Sequence, residues 1–160
     1  AFNPVTNTMF YPLQNLCMSV KSVIDKPDPS NVYGIADTPM LAPGTTNVGT
    51  VWAVSAETGK TVWKHDQRAG VLSLVATAGG LVFGGDANGR FRAFDDRTGK
   101  VLWETNLGAA VSGYPVTFAV NGKQYVAVST GLSLVAAATW RLTPEQRPGT
   151  ATSLFVFALP

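Results

Sequence analysis

A fifteen-residue segment recurs at a spacing of 40 residues, and this repeat restricts the fold more than any other feature of the chain. Gly49-Thr50-Val51-Trp52-Ala53-Val54-Ser55-Ala56-Glu57-Thr58-Gly59-Lys60-Thr61-Val62-Trp63 aligns with Gly89-Arg90-Phe91-Arg92-Ala93-Phe94-Asp95-Asp96-Arg97-Thr98-Gly99-Lys100-Val101-Leu102-Trp103. Gly, Ala, Thr, Gly, Lys and Trp coincide at equal offsets. Val51–Val54 and Phe91–Phe94 are β-branched or aromatic runs that read as strands. Asp95 can accept hydrogen bonds from the backbone ahead of it and so start a turn. Gly59 and Gly99 supply the left-handed conformation that closes a hairpin. Val62-Trp63 and Leu102-Trp103 then open the next strand. The small Ala53 and Ala93 leave room for large rings, so Trp63 and Trp103 are expected to pack between repeats as structural residues. Ser55 stands where the second copy has Asp95, which weakens the turn signal of the first copy.

A period of about 40–50 residues, each holding several short strands, suits the four-stranded blade of a β-propeller. The strand signals continue outside the repeat. Leu81–Gly85, Val116–Val120, Gln124–Val128 and Ser153–Leu159 are apolar or β-prone, and Asn121-Gly122 is a strong hairpin turn. Helical periodicity is nowhere sustained. The expected fold is all-β: three to four blades over residues 1–160, forming part of one propeller domain. Two stretches read as long loops: Val23–Thr50, with Pro27, Pro29, Pro39 and Pro43, and Arg141–Thr152, with Pro144, Pro148 and Gly149. A partial ring leaves sheet edges and apolar blade faces uncovered, so the missing part of the same protein, or another polypeptide, is expected to complete it.

Composition closes off several function classes. A net charge of +2 with scattered basic residues gives no electrostatic footprint for nucleic acid. The apolar run Leu132–Trp140 is too short to span a membrane and is broken by Ser133 and Thr139. Cys17 is the single cysteine, so it has no intrachain partner and no zinc set; a buried free thiol is the plain expectation. The start, Ala1-Phe2-Asn3-Pro4, has neither an initiator Met nor a signal-peptide pattern, and reads as the interior of a longer precursor. His65 beside Asp66 lacks a nucleophile or metal partner and reads as a solvated strand-end side chain. Gly79-Gly80 and Gly84-Gly85 lack the strand–loop–helix context of a dinucleotide site.

The pattern Ala93-x-Asp95-x-x-Thr98-Gly99-Lys100-x-x-Trp103 resembles the tryptophan-docking motif of eight-bladed quinoprotein alcohol dehydrogenases. Ala76–Phe83, Gly113-Tyr114-Pro115 and Gly122–Val128 are similar to that family's C-terminal blades. Val156–Pro160 resembles its C-terminus, and Phe2–Thr6 with Tyr11–Met18 resembles a segment that supplies an asparagine to the cofactor pocket. The resemblance implies oxidation of an alcohol or aldehyde by pyrroloquinoline quinone (PQQ) with bound Ca²⁺. It also implies a periplasmic location and electron transfer to a cytochrome c-type acceptor or a dye. The cofactor would carry the redox chemistry, a cation would polarise its carbonyl, and an aspartate would take the substrate proton. The family's metal ligands and catalytic aspartate lie upstream, so neither a catalytic nor a metal residue is assigned here.

Asn15 matches the family's quinone-contacting asparagine, although asparagine at a strand end is also an ordinary turn residue. Gly70–Ser73 and Leu132–Val135 take the places of two tryptophan-bearing pocket segments of methanol-type members, and neither has the ring. Leu72, Leu134 and Val135 are therefore expected to line the pocket, with room for larger or more varied substrates. Two other classes remain open. A non-catalytic propeller, such as an outer-membrane assembly scaffold, would share the repeat without a quinone pocket, and a lectin-like sugar-binding propeller is more distant.

Overall fold

The computed structural model describes residues 1–23 and 34–158. The described strands run β1 Phe2–Asn3, β2 Thr8–Gln14, β3 Leu16–Val23, β4 Gly34–Leu41, β5 Gly49–Ser55, β6 Thr61–Gln67, β7 Val71–Ala76, β8 Leu81–Asp86, β9 Arg90–Asp95, β10 Val101–Asn106, β11 Val116–Val120, β12 Lys123–Thr130 and β13 Ser153–Ala158. One helix, α1, spans Leu134–Trp140. All strand pairings are antiparallel. They build two four-stranded sheets, β1-β2-β5-β6 and β7-β8-β9-β10, and a three-stranded sheet, β11-β12-β13.

Both repeat copies fold alike. In each, the motif's Ala pairs across the ladder with its Trp, Ala53 with Trp63 and Ala93 with Trp103. The turns close on Gly59 and Gly99 at φ +69° and +71°; Ser55 holds its turn with one bond, Oγ accepting from the Thr58 N–H at 3.2 Å, where Asp95 Oδ1 accepts from the Arg97 and Thr98 N–H groups and the Thr98 hydroxyl.

Period-2 alternation gives each blade two faces, and the sheets stack through them. Phe10, Val51, Ala53 and Trp63 of the first blade pack on Val71, Leu74, Val82 and Phe94 of the second. Phe83, Phe91 and Ala93 of the second pack in turn on Val126 and Val128 of the third sheet, with Phe155 and Phe157 alongside. Fully buried rings such as Phe10, Phe91 and Phe94 each contribute about 1.5–3 kcal/mol of transfer free energy. The second seam is close enough that a Cβ on Gly85 would stand 2.2 Å from Val111 Cγ1.

Three expectations are corrected. The segment 23–50 is not one loop: β4 pairs with β3 along its full length, Leu16 opposite Leu41 through Val23 opposite Gly34, as a two-stranded hairpin between β2 and β5; residues 24–33 of that expected loop lie outside the described residues. The prolines hid this because Pro39, in β4, sits in a two-stranded ribbon whose outer edges need no ladder donor. The all-β expectation holds, with one short helix beside the strands. Helix α1 is capped by Ser133, whose Oγ accepts from the Ala136 N–H at 3.0 Å, and contains Ala136-Ala137-Ala138, the strongest helix former in sequence. Seven residues are too few to give a readable helical period. Cys17 is exposed rather than buried, because its strand projects beyond the stacked sheets. Finally, His65 lies within β6, half-buried, with its ring edge-on to Phe94 at 5.2 Å between centroids.

Candidate functional site

Antiparallel order brings the end of β2, the start of β7 and the end of β8 to one end of the first two blades, where α1 lies across them. Gln14, the last residue of β2, reaches the next blade: its Nε2 donates to the Val71 carbonyl at 3.2 Å. The side-chain oxygen Oε1 is buried and has no hydrogen-bond partner. A buried acceptor left unpaired costs about 1–3 kcal/mol and requires an explanation. Gly70 closes the junction, for a Cβ there would meet Gln14 Oε1 at 2.8 Å and Thr139 Cγ2 of α1 at 2.9 Å.

The helix rests on small residues. Ala87, Ala110 and Ala136 form a buried cluster with Leu72 and Trp140 packed against it. The Trp140 indole donates to the Ala87 carbonyl at 2.8 Å, while the Ala87 N–H donates to the Gly70 carbonyl at 2.8 Å. Thr139 is buried against the junction; Val135, one helical turn earlier on the same face, is 53% exposed, as is Leu132 at 58%. One face of α1 therefore runs from the Gln14 junction out to an open apolar surface.

The predicted residues divide accordingly. Leu72 and the helix bearing Leu134 and Val135 come together. Asn15 sits apart: its Nδ2 donates to the Asn47 carbonyl at 3.2 Å and to Thr50 Oγ1 at 2.8 Å. Thr50 passes a bond on to Asp66 at 2.8 Å, and Asn15, Trp52, Lys64 and Asp66 line a cavity of about 310 Å³. The Thr50 hydroxyl holds the Asp66 carboxyl below its ordinary range against the opposing effect of burial, with Lys64 adding to the lowering. Gln14 was missed because the resemblance pointed to the neighbouring Asn15. The available signal was strand alternation, which turns adjacent residues to opposite faces and leaves one of the pair on the inter-blade side.

Beneath the site lies a buried ionic cluster. Arg92 donates to Asp86 Oδ2 at 2.7 Å and to Glu104 Oε2 at 2.5 Å, and Gln67 of β6 bonds both Asp86 and Arg92. Arg90 also pairs with Glu104. Asp86 Oδ1 accepts from the backbone of Asn88 and Arg90, which fixes the turn after Ala87. The buried Asp86 carboxylate is thus paired with Arg92 and bonded by the backbone, as a buried charge requires. Burial and then the nearby Arg92 lower the pKa of His65, against the weaker pull of Asp66 and Glu104.

Residues 68–126 match a family described as PQQ: glucose/ethanol/alcohol dehydrogenase, β-propeller domain. A lanthanide-dependent methanol dehydrogenase of Methylacidiphilum fumariolicum is 38% identical over 82% of this chain and 22% of its own length. By sequence and fold the chain belongs to the quinoprotein dehydrogenase propellers. Quinoprotein alcohol dehydrogenase PedE of Pseudomonas putida is 44% identical over 53% of this chain and 14% of its own. Among solved structures, a europium-containing methanol dehydrogenase superposes over 99% of this chain and 32% of its own, with TM-score 0.87 and 30% identity. The chain thus spans less than a third of the length of each of these proteins.

Within this quinoprotein propeller segment, the Gln14–α1 junction joins the first two blades at one end. It sets an apolar surface at Leu132 and Val135 beside one buried acceptor without a partner. Among the described residues no three His, Cys, Asp or Glu side chains gather as a metal set.

Proposed function

We propose that the chain forms C-terminal blades of a PQQ-dependent alcohol dehydrogenase and contributes one wall of its cofactor pocket, with the remaining wall and the reacting centre supplied by the rest of the same propeller. The observation that carries this is the likeness to a methanol dehydrogenase, 38% identical over 82% of this chain, alongside a quinoprotein alcohol dehydrogenase 44% identical over 53%. When bound, the quinone supplies the oxidising equivalents for the alcohol. The chain's own residues bind and orient. Gln14, fixed by Val71, packs behind the wall and joins the two blades. Leu72 and Val135, with the helix that carries Leu134, form the apolar side, and Asn15 supports the strand end from the adjoining cavity. Residues 1–160 then belong to a single propeller domain.

Further readings follow from the family. The seating of Trp63 against the turn of the next blade supports a tryptophan-docking role for the repeat. The cation is calcium or a lanthanide held by upstream residues, the electron acceptor is a cytochrome c-type protein, and the compartment is the periplasm. Without tryptophan at Leu72 or in the Leu132–Val135 segment, the pocket takes primary and secondary alcohols or aldehydes larger than methanol. The test is dye reduction by the intact protein with PQQ, Ca²⁺ or a lanthanide, and a graded alcohol panel. Turnover that requires quinone and favours alcohols longer than methanol supports the proposal. Absence of quinone-dependent turnover across the panel would favour a non-catalytic scaffold.

A further inference from the structure

The third sheet has three strands where each of the first two blades has four. Its outer strand, β13, is unlike the outer strands of those blades. Strand β6 carries exposed charge at Lys64 and Asp66, and β10 at Glu104, a common way of blunting an open edge. Strand β13, Ser-Leu-Phe-Val-Phe-Ala, has neither charge nor proline; Leu154 and Val156 are exposed, while Phe155 and Phe157 turn to the second blade. Beside it an apolar groove of about 480 Å³ runs between the second and third sheets, lined by Phe83, Leu102, Trp103, Val126, Phe157 and Ala158.

The first two blades show what fills such a place. There Val101 of β10, the fourth strand of the second blade, packs against the core of the first seam. The groove at the second seam is the unfilled counterpart. Register identifies the equivalent positions. Gly80 and Gly122, both at positive φ, precede β8 and β12, so Phe83 corresponds to Tyr125. Phe83 pairs with Ala93, and Tyr125 pairs with Ala158. Two residues on, Pro160 takes the sequence position of Asp95. The Asp95 N–H closes the β9–β10 turn on the Lys100 carbonyl at 2.9 Å, as the Ser55 N–H does on the Lys60 carbonyl in the first blade. Proline has no N–H to give, and its ring offers no acceptor to the turn. The hairpin that leads from third to fourth strand in the first two blades therefore cannot be repeated in that form after β13.

We infer that the open edge of β13 is an interaction surface for a further segment of the same polypeptide, from outside residues 1–160. That segment adds as the fourth strand of the third sheet with no hairpin to β13, and lays an apolar side chain into the groove as Val101 does at the first seam. A polypeptide of the relatives' length holds ample sequence for it, since this chain spans less than a third of theirs. With no turn beside it, Trp103 is covered by side chains alone and stays less tightly held than Trp63. The surface needs only the blades, and it stands or falls independently of quinone binding.

The test uses the intact protein. Hydrogen exchange compares β13 with β9, an inner strand, and with β10, an outer one. All β13 amides are expected to exchange within about threefold of those in β9, whereas an open edge leaves alternate amides about a hundredfold faster, as in β10. The occupant is identified with Leu102→p-benzoylphenylalanine, a photo-cross-linker at the mouth of the groove. The expected product is a link within one polypeptide, to a peptide outside residues 1–160. Both results are required. Exchange in β13 like that in β10 means that the edge is open. Links confined to residues 1–160, a link between two copies of the chain, or a link to another protein means a different occupant or none. Each of these outcomes overturns the inference.

Discussion

Trp63 and Trp103 hold the same place in the repeat and end in different surroundings. Trp63 is 8% exposed, its indole donates to the Asp96 carbonyl of the next blade at 2.8 Å, and its ring lies between Phe10 and Phe94. Trp103 is 39% exposed and meets Phe91 and Phe157 edge-on, at the rim of an apolar groove of about 480 Å³. The local sequence is equivalent; the neighbours are not. Trp63 faces a four-stranded sheet whose β9–β10 turn receives it, while Trp103 faces the three-stranded sheet. A repeat motif therefore encodes the turn and the strand, and the next blade decides how tightly the ring is held.

The comparison can be broken by substitution, with unfolding of the intact protein as the measurement. The largest contrast is expected from truncating the rings. Trp63→Ala should cost about 3–5 kcal/mol, the usual range for a buried aromatic, and Trp103→Ala less than half as much. Equal losses would mean that the two seams are equivalent. Next come the paired glycines. At Gly99 a Cβ would lie 2.5 Å from Trp63 Cε3, whereas at Gly59 nothing stands within 4 Å, although both have positive φ. Gly59→Ala should cost only the left-handed penalty of about 1–2 kcal/mol; Gly99→Ala should add overpacking of about 1–3 kcal/mol to it.

The smallest effect concerns pH. His65 lies at the first seam with its pKa lowered by burial and by Arg92. The folded state therefore binds its proton less readily than the unfolded chain does. This contribution is fully present above about pH 6.5, the unfolded value, and is lost as pH falls through the lower folded value. His65→Gln should flatten the stability profile in that window, and an unchanged slope would remove His65 as its source. The second seam, which has no histidine, should show no such dependence.

Much of this architecture was legible because it is local. The turn residues Asp95 and Gly99, the Asn121-Gly122 hairpin and the alternation in β8 and β9 announce themselves within a few residues. What the sequence concealed depends on partners distant along the chain. The β3–β4 pairing joins segments separated in sequence by residues outside the described set, and Pro39 within β4 mimics a loop. Helix α1 is short and held by Arg68 and Ala87, residues 53 to 77 positions from what they bind. Gln14 became visible only when Gly70 and Thr139 closed around it, since nothing in Leu13-Gln14-Asn15 says which amide turns toward the next blade.

The most direct test is hydrogen exchange on the intact protein with and without PQQ and its cation. Quinone binding should slow exchange at 70–73 and 132–140, which flank Gln14, and leave the β3–β4 hairpin unchanged. Protection elsewhere in the propeller with none at 132–140 would contradict the account, because α1 would then not be a wall of the cofactor site.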